Sequence, residues 1–481
     1  MKLAQEPVII QGGMGAAVSS WQLARAVASE GQMGVVSGTA LDVVLCRRLQ
    51  LGDPDGALRR AMQAFPFPEM VQPILERYFI PGGKRPDEPF RPCPMLNDHP
   101  TRRQQELLVV SNFVEVFLAR QGHDGLIGVN YLEKIQLPTL PSIFGAMLAG
   151  VDYVLMGAGI PRTIPGILDR FSQGKSADLS IHVEGADRDD HFTVSFDPES
   201  FTGGRVPWLR RPKFLAIIAS QSLAKILVSK STGRVDGFIV EGPTAGGHNA
   251  PPRGAMRLDA KGEPIYGERD RPDLKVMCDI GLPFWLAGSY GAPERLRAAL
   301  EAGAAGIQVG TAFAFCRESG LSSSLRHRIV ALAQEGKASV RTDPRASPAG
   351  FPFKVLQLAG SISEESVYLE RHRVCDLGYL RHAYKRPDGT LGWRCPAEDI
   401  EAFVKKGGDL AEAAGRKCVC NGLLANVGLE QVRKDGTVER PLVTSGDEVR
   451  RIAEFLQLPE DGEYAARDVI EYLMAGVPAT I

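Results

Sequence analysis

Short, continuously apolar runs recur along the first part of the chain, each closed by glycine or a small polar residue. They fall at residues 8–11, 34–37, 126–130, 153–156, 214–219, 237–241, 284–287 and 306–309. Runs this short and this apolar predict strands buried on both faces rather than half-exposed ones. Segments with helical spacing lie between them. Residues 21–30 place Leu23, Ala24 and Val27 on one face and stop at Gly31. Residues 141–148 stop at Gly150, and 221–229 align Leu223, Ile226 and Leu227. Strand and helix in alternation predict a parallel sheet, and eight such units predict an α/β fold closed into a (β/α)8 barrel. An open, doubly wound sheet is the alternative.

The last pair of strands is the most informative. Pro283–Ala287 reads as a buried strand, broken by Gly288-Ser289-Tyr290-Gly291. Pro293 then opens a helix with Leu296, Ala299 and Leu300 on its apolar side, and Gly303 ends it. The second strand, 306–309, runs into Gly310-Thr311. Glycine turns after two neighbouring strands let backbone N–H groups approach an anion, and Ser289 and Thr311 add hydroxyl donors. In a barrel, the turns after strands seven and eight are a usual place for a phosphate.

Three stretches are too long for simple connections: 41–124, mostly helical with a proline-rich middle; 175–212, in which 191–196 alternates like a hairpin strand; and 249–275, rich in proline, glycine and charge. Long excursions from a compact domain usually form lids or binding segments. After about Ser339 the alternation fades. The expected organisation is a barrel over 1–338 carrying these insertions, and a mostly helical extension over 339–481 that packs on it, with helices at 447–456 and 465–474.

Composition narrows the function classes. A formal net charge of −1 gives no global basis for nucleic-acid binding, and no apolar run approaches membrane-spanning length. With no leader-like segment at the N-terminus and eight scattered cysteines, a soluble cytoplasmic protein with reduced thiols is expected. Its oligomeric state stays open. Four of those cysteines, Cys375, Cys395, Cys418 and Cys420, fall close together. Their spacing, C-x19-C-x22-C-x-C, is not a zinc-finger ladder, so ordinary thiols are expected, with zinc or an iron–sulfur cluster as the alternative.

The sharpest chemical motif is Glu241-Gly242-Pro243-Thr244-Ala245-Gly246-Gly247-His248, after the sixth strand. Two glycines before a histidine let the backbone approach a flat ligand with the imidazole projecting over it. Histidine takes or gives a proton near neutral pH. Together with Gln11-Gly12-Gly13-Met14-Gly15, Ala287-Gly288-Ser289 and Gln308 to Phe313, this motif resembles the signatures of the nitronate monooxygenase (2-nitropropane dioxygenase) family. That family includes flavin-dependent enoyl-acyl-carrier-protein reductases and their trans-acting relatives. The resemblance covers roughly 7–40 and 125–335, in order.

It implies an FMN-binding barrel. Gln11, Gly12, Gly13, Met14 and Gly15 would line the flavin ring with backbone groups. Ala287, Gly288, Ser289, Gly310 and Thr311 would hold the phosphate, and Gly246, Gly247 and His248 would sit at the reactive edge. Asn130 matches the asparagine ending the third strand, and Gly157-Ala158-Gly159 the turn after the fourth. Gly12 replaces the family's usual proline, and Gly288-Ser289-Tyr290 its usual G-G-I. The favoured activity is oxidation of nitronates or nitroalkanes with oxygen, with His248 as base. The alternative is NAD(P)H-dependent enoyl reduction, with an acyl carrier protein as a candidate partner. A non-catalytic flavin-binding scaffold is the third reading. Arg253 is a candidate for an anionic substrate group. The basic run 208–213 reads as a solvated edge, and 187–190 as a hairpin turn.

Overall fold

The computed structural model describes residues 6–457, 463–475 and 477. Eight parallel strands form one sheet: β1 (Ile9–Gln11), β2 (Gly34–Ser37), β3 (Ile127–Leu132), β4 (Tyr153–Gly157), β5 (Lys213–Ile218), β6 (Gly237–Glu241), β7 (Phe284–Ala287) and β8 (Gly306–Val309). The order β1-β8-β7-β6-β5-β4-β3-β2 runs once around. It closes where Gln11 N–H donates to Met33 O at 3.0 Å and Met33 N–H to Ile9 O at 3.1 Å. The fold is therefore a (β/α)8 barrel, and the open-sheet alternative is set aside.

Side-chain alternation explains why these strands carry no polar face. Ile10, Val35, Tyr153, Leu155, Leu215, Ile239 and Trp285 pack into one cluster inside the barrel. Phe214, Phe238, Val240, Phe284 and Ile307 belong to a second cluster that includes the surrounding helices. Both faces are apolar because both are covered. The helices match expectation: Trp21–Ser29, capped by Ser20, then Thr139–Leu148, Gln221–Lys230 and Pro293–Glu301.

At the N-terminal end of the strands the barrel is sealed. Trp285 Nε1 donates to Pro7 O at 2.7 Å. The Glu6 carboxylate accepts from Tyr153 OH at 3.0 Å and from Lys213 Nζ at 2.7 Å.

Stretch 41–124 contains the helices Leu41–Gln50, Ala57–Gln63, Pro68–Tyr78 and Arg102–Ala119. The last is buried almost all round, as an apolar helix wedged between layers must be. In 175–212, Ala177–Ser180 pairs antiparallel with Thr193–Phe196. Beyond 339, helices outnumber strands, but two hairpins are also present. Val340–Asp343 pairs with Phe353–Leu356, and His382–Lys385 with Leu391–Arg394 across the turn Arg386-Pro387-Asp388-Gly389. Their strands are four residues long, too short to register as periodic runs. Asp447–Gln457 is a 3-10 helix, and Ala466–Met474 an α-helix. This part is tied to the barrel by Tyr464 OH donating to Ala312 O at 2.6 Å and by Arg326 pairing with Glu463 at 2.7 Å. No helix among the described residues is long and apolar enough to cross a membrane.

Candidate active site

The C-terminal ends of all eight strands open towards a cavity with an empty volume of about 1730 Å³, its mouth included. Of the residues expected to bind cofactor, Gly12, Gly13, Met14, Gly15, Asn130, Gly246, Gly247, Ala287, Gly288, Ser289, Gly310 and Thr311 line it, as does His248. Gln11 does not. Its side chain is buried within the β1–β2 junction, where Oε1 accepts from Val35 N at 3.0 Å and Nε2 donates to Ser19 Oγ at 2.8 Å. The Gln11 side chain closes the barrel.

The glycine requirement is real where two walls meet. A Cβ on Gly13 would lie 2.3 Å from Asn130 Cβ. After β7 the chain turns through Gly288 at φ +90° and Ser289 at φ +59°, a left-handed pair that costs energy at the serine. Thr311 Oγ1 accepts from Gly446 N at 3.0 Å, which leaves its proton to donate. Glu448 accepts from Gly291 N at 3.1 Å, and burial raises its carboxyl pKa.

His248 leaves β6 on a loop held from two sides. Gly247 N donates to Thr444 Oγ1 at 2.8 Å, Gly247 O accepts from Lys354 N at 2.9 Å, and Asn249 N donates to Pro352 O at 2.9 Å. The ring tilts on Phe353 with centroids 4.7 Å apart, and Nε2 pairs with Ser347 Oγ at 2.6 Å. Burial, with no carboxylate against it, lowers its pKa to about 4, so the imidazole is neutral at pH 7.

A second cavity, with an empty volume of about 1410 Å³, adjoins the first and shares Ala158, Ile217, Glu241 and His248 with it. Lys134, Arg253 and Tyr266 line its far side, so Arg253 stands where an anionic group could reach it. Glu241, the last residue of β6, was not singled out from the sequence. Burial raises its pKa to about 8, which keeps the carboxyl protonated at neutral pH. Its place in the motif, directly before the glycine turn, was the available signal.

Thr444, Ser445, Gly446 and Glu448, with Tyr379 and Leu380, complete the main cavity from late in the chain. Leu442-Val443-Thr444-Ser445-Gly446 repeats the apolar-then-small pattern of the barrel turns, a signal too short to stand out. The other candidates lie elsewhere. Arg210, Arg211 and Lys213 pair with Asp152, Asp169, Asp236 and Glu6 at the sealed end. Asp187 N donates to Asp190 Oδ2 at 2.8 Å in a turn, and both carboxylates hold Lys385.

The residues present fit a flat anionic cofactor such as FMN. The cavity floor is glycine, two small-residue turns meet at one end, and Gln308 Oε1 in the wall is buried with no partner of its own.

Comparison with known proteins agrees with the resemblance read from the motifs. Residues 193–344 match the family model described as nitronate monooxygenase. A curated (3aS,4S,5R,7aS)-5-hydroxy-7a-methyl-1-oxo-octahydro-1H-indene-4-carboxyl-CoA dehydrogenase from Rhodococcus jostii (strain RHA1) is 28% identical over 143 residues, which is 30% of this chain and 35% of that protein. The chain thus matches about a third of that relative's length. Among solved structures, FabK from Thermotoga maritima is 17% identical, with 98% of this chain and 93% of that one covered and a TM-score of 0.49. Nitroalkane oxidase from Streptomyces ansochromogenes is 15% identical, covering 98% and 95%, with a TM-score of 0.44. The enoyl reductase domain of MlnA from Bacillus amyloliquefaciens is 12% identical, covering 98% and 94%, with a TM-score of 0.46.

Proposed function

We propose that this chain is a cytoplasmic, FMN-dependent oxidoreductase of the nitronate monooxygenase-like kind that reduces an activated carbon–carbon double bond. The observation that carries this reading is the setting of His248: Nε2 pairs with Ser347 Oγ at 2.6 Å, no carboxylate among the described residues is paired with the ring to support it as a base, and burial lowers its pKa. A neutral ring, positioned by Ser347 on Nε2, is suited to polarising a substrate carbonyl by hydrogen bonding.

FMN, when bound, would supply hydride-transfer chemistry. Gly12, Gly13, Met14 and Gly15 would lie against its ring, with Asn130 beside them. Gly288, Ser289, Gly310 and Thr311 would hold its phosphate. Glu241 stands on the same rim as His248 and carries the proton that the reduced substrate carbon needs. Reduced nicotinamide is the proposed electron donor. The second cavity, with Lys134 and Arg253, suits a long acyl substrate with an anionic carrier arm, of the sort an acyl carrier protein presents. Nitronate oxidation, with His248 as base, is the second reading, favoured by the family match over 193–344.

The anaerobic visible spectrum of the purified protein, before and after NADPH or NADH, tests both. A flavin band that bleaches rapidly with reduced nicotinamide and returns on adding an α,β-unsaturated thioester supports reduction. A band indifferent to nicotinamide but bleached by a nitronate supports oxidation. No band, even after FMN is added, ends both.

A further inference from the structure

Beyond the turn after β3 the chain encloses a side cavity with an empty volume of about 930 Å³, its mouth included. Its walls are the segments 134–138 and 181–184, the hairpin of His382–Lys385 and Leu391–Arg394, and residues 377–381 before it. It adjoins the main cavity, with which it shares Ile135, Tyr379 and Leu380. Tyr379 is fixed in that partition by its hydroxyl, which donates to Asp42. Leu137, Ile181, Leu377 and the Trp393 indole give the cavity an apolar body with a few polar groups, the usual make-up of a small-molecule site.

The charges on its walls do not balance. Its one carboxylate, Glu184, is already engaged: His382 Nδ1 and the Arg394 guanidinium both donate to it at 2.7 Å. His382 Nε2 lies 2.7 Å from Pro348 O, so both ring nitrogens face acceptors and the imidazole is held as a cation. Burial opposes that charge, but these partners outweigh it and raise the His382 pKa. Arg381 has no such counter-charge. Its Nε donates to Gly378 O at 3.2 Å and its Nη2 to Leu96 O, which pins the guanidinium plane. Nη1 has no partner among the described residues. The group lies over the Trp393 ring, 5.5 Å from its centroid. No carboxylate among the described residues pairs with it, whereas the nearby Arg371, Arg394 and Arg433 each have one at 2.6 or 2.7 Å. A half-buried charge without a counter-charge is costly, and an anion in the cavity would supply one.

A dinucleotide donor has two ends. Its nicotinamide must reach the flavin in the main cavity, and its adenosine phosphate needs a compartment beside it. We propose that this side cavity is that compartment, binding an adenosine phosphate with the phosphate on Arg381 and the base against the Trp393 indole. The inference rests on the reading above that reduced nicotinamide is the electron donor. A guanidinium held flat by two carbonyls suits a phosphate, to which it presents donors in a fixed plane. The indole offers a flat face to a purine, and stacking there adds the affinity that one solvent-reached ion pair lacks. Both residues belong to the late part of the chain, so the extension rather than the barrel selects the donor.

The test is calorimetric titration of AMP into the full-length protein saturated with FMN, so that the flavin cradle is occupied. Saturable binding of about one AMP per chain is expected, weakened at least about tenfold in Arg381→Met and about fivefold in Trp393→Leu. Thermal melts show whether each variant is folded. In steady state, Arg381→Met should raise the KM for NADPH about tenfold with little change in kcat, as loss of binding alone requires. If neither variant folds, the native protein decides, since NADPH must displace AMP from it. No saturable AMP binding, equal binding by folded Arg381→Met, or failure of NADPH to displace AMP would each overturn the proposal. AMP displaced by coenzyme A, which carries the same group, but not by NADPH would give the cavity to an acyl thioester and overturn it too. AMP binding that NADPH displaces, in a protein that oxidises no NADPH, supports the subsite and overturns the donor reading instead.

Discussion

At one end of the barrel the polar groups have partners: Glu6 takes both Tyr153 OH and Lys213, and the Trp285 indole takes Pro7 O. At the other end the floor is glycine, Gln308 keeps an unpaired buried oxygen, and Glu241 and His248 stand partly exposed without an ion partner. The same strands build both ends, so the contrast lies in the segments that enter and leave each strand. A satisfied end contributes stability, and an unsatisfied end holds capacity for a ligand. The two ends should therefore respond to mutation in opposite ways.

The largest effect is expected from filling the open end. Gly12→Leu projects a side chain into the cavity, with its Cβ in ordinary contact, 3.5 Å from Gln308. The variant should fold, copurify with no flavin and have no activity. Flavin absorbance together with a thermal melt checks this, and a normal flavin band would refute the cradle. Next is His248→Ala, for which turnover should fall about 10²–10³-fold with flavin retained. Unchanged turnover would remove His248 from the chemistry.

The sealed end should give the reverse result. Trp285→Phe leaves Pro7 O without its donor and should cost about 1–3 kcal/mol in urea unfolding, with kcat unaltered. A loss of kcat without a loss of stability would erase the distinction between the ends. Glu241→Gln removes the proposed proton donor, so its kcat should fall at neutral pH. Glu241 is protonated below about pH 8, so wild-type kcat should fall as pH rises through 8 while the variant's lower rate stays flat. Stability carries the matching signs. The raised pKa of Glu241 gives a contribution that is complete below 4.5 and lost as pH rises through about 8. The lowered pKa of His248 gives one that is lost as pH falls from 6.5 through about 4.

The barrel was legible because each strand carries its own signal. Strands β2, β6, β7 and β8 lie at their expected bounds, and the glycine turns after them carry the site. The seam-closing role of the Gln11 side chain was not legible, because a glutamine ending a strand looks the same in sequence whether it faces a cavity or seals a seam. Ser347 and Phe353 reach His248, and Thr444 its neighbour Gly247, only through tertiary closure, and nothing in local periodicity links them to this loop. The four late cysteines show the same limit: they line one pocket, although a hairpin and two short helices separate the segments that carry them.

The fastening of the His248 loop also dictates an order of assembly. Gly247 depends on Thr444, a separation of 197 residues, and Thr311 on Gly446, a separation of 135. On the ribosome, all eight strands emerge long before these partners do. The nascent barrel therefore waits with one side of its histidine loop untethered and its mouth open, a state prone to aggregation. Uptake of the proposed flavin then becomes a post-translational step, and expression trials should gain more from slow synthesis and chaperone supply than from flavin supplementation during early elongation.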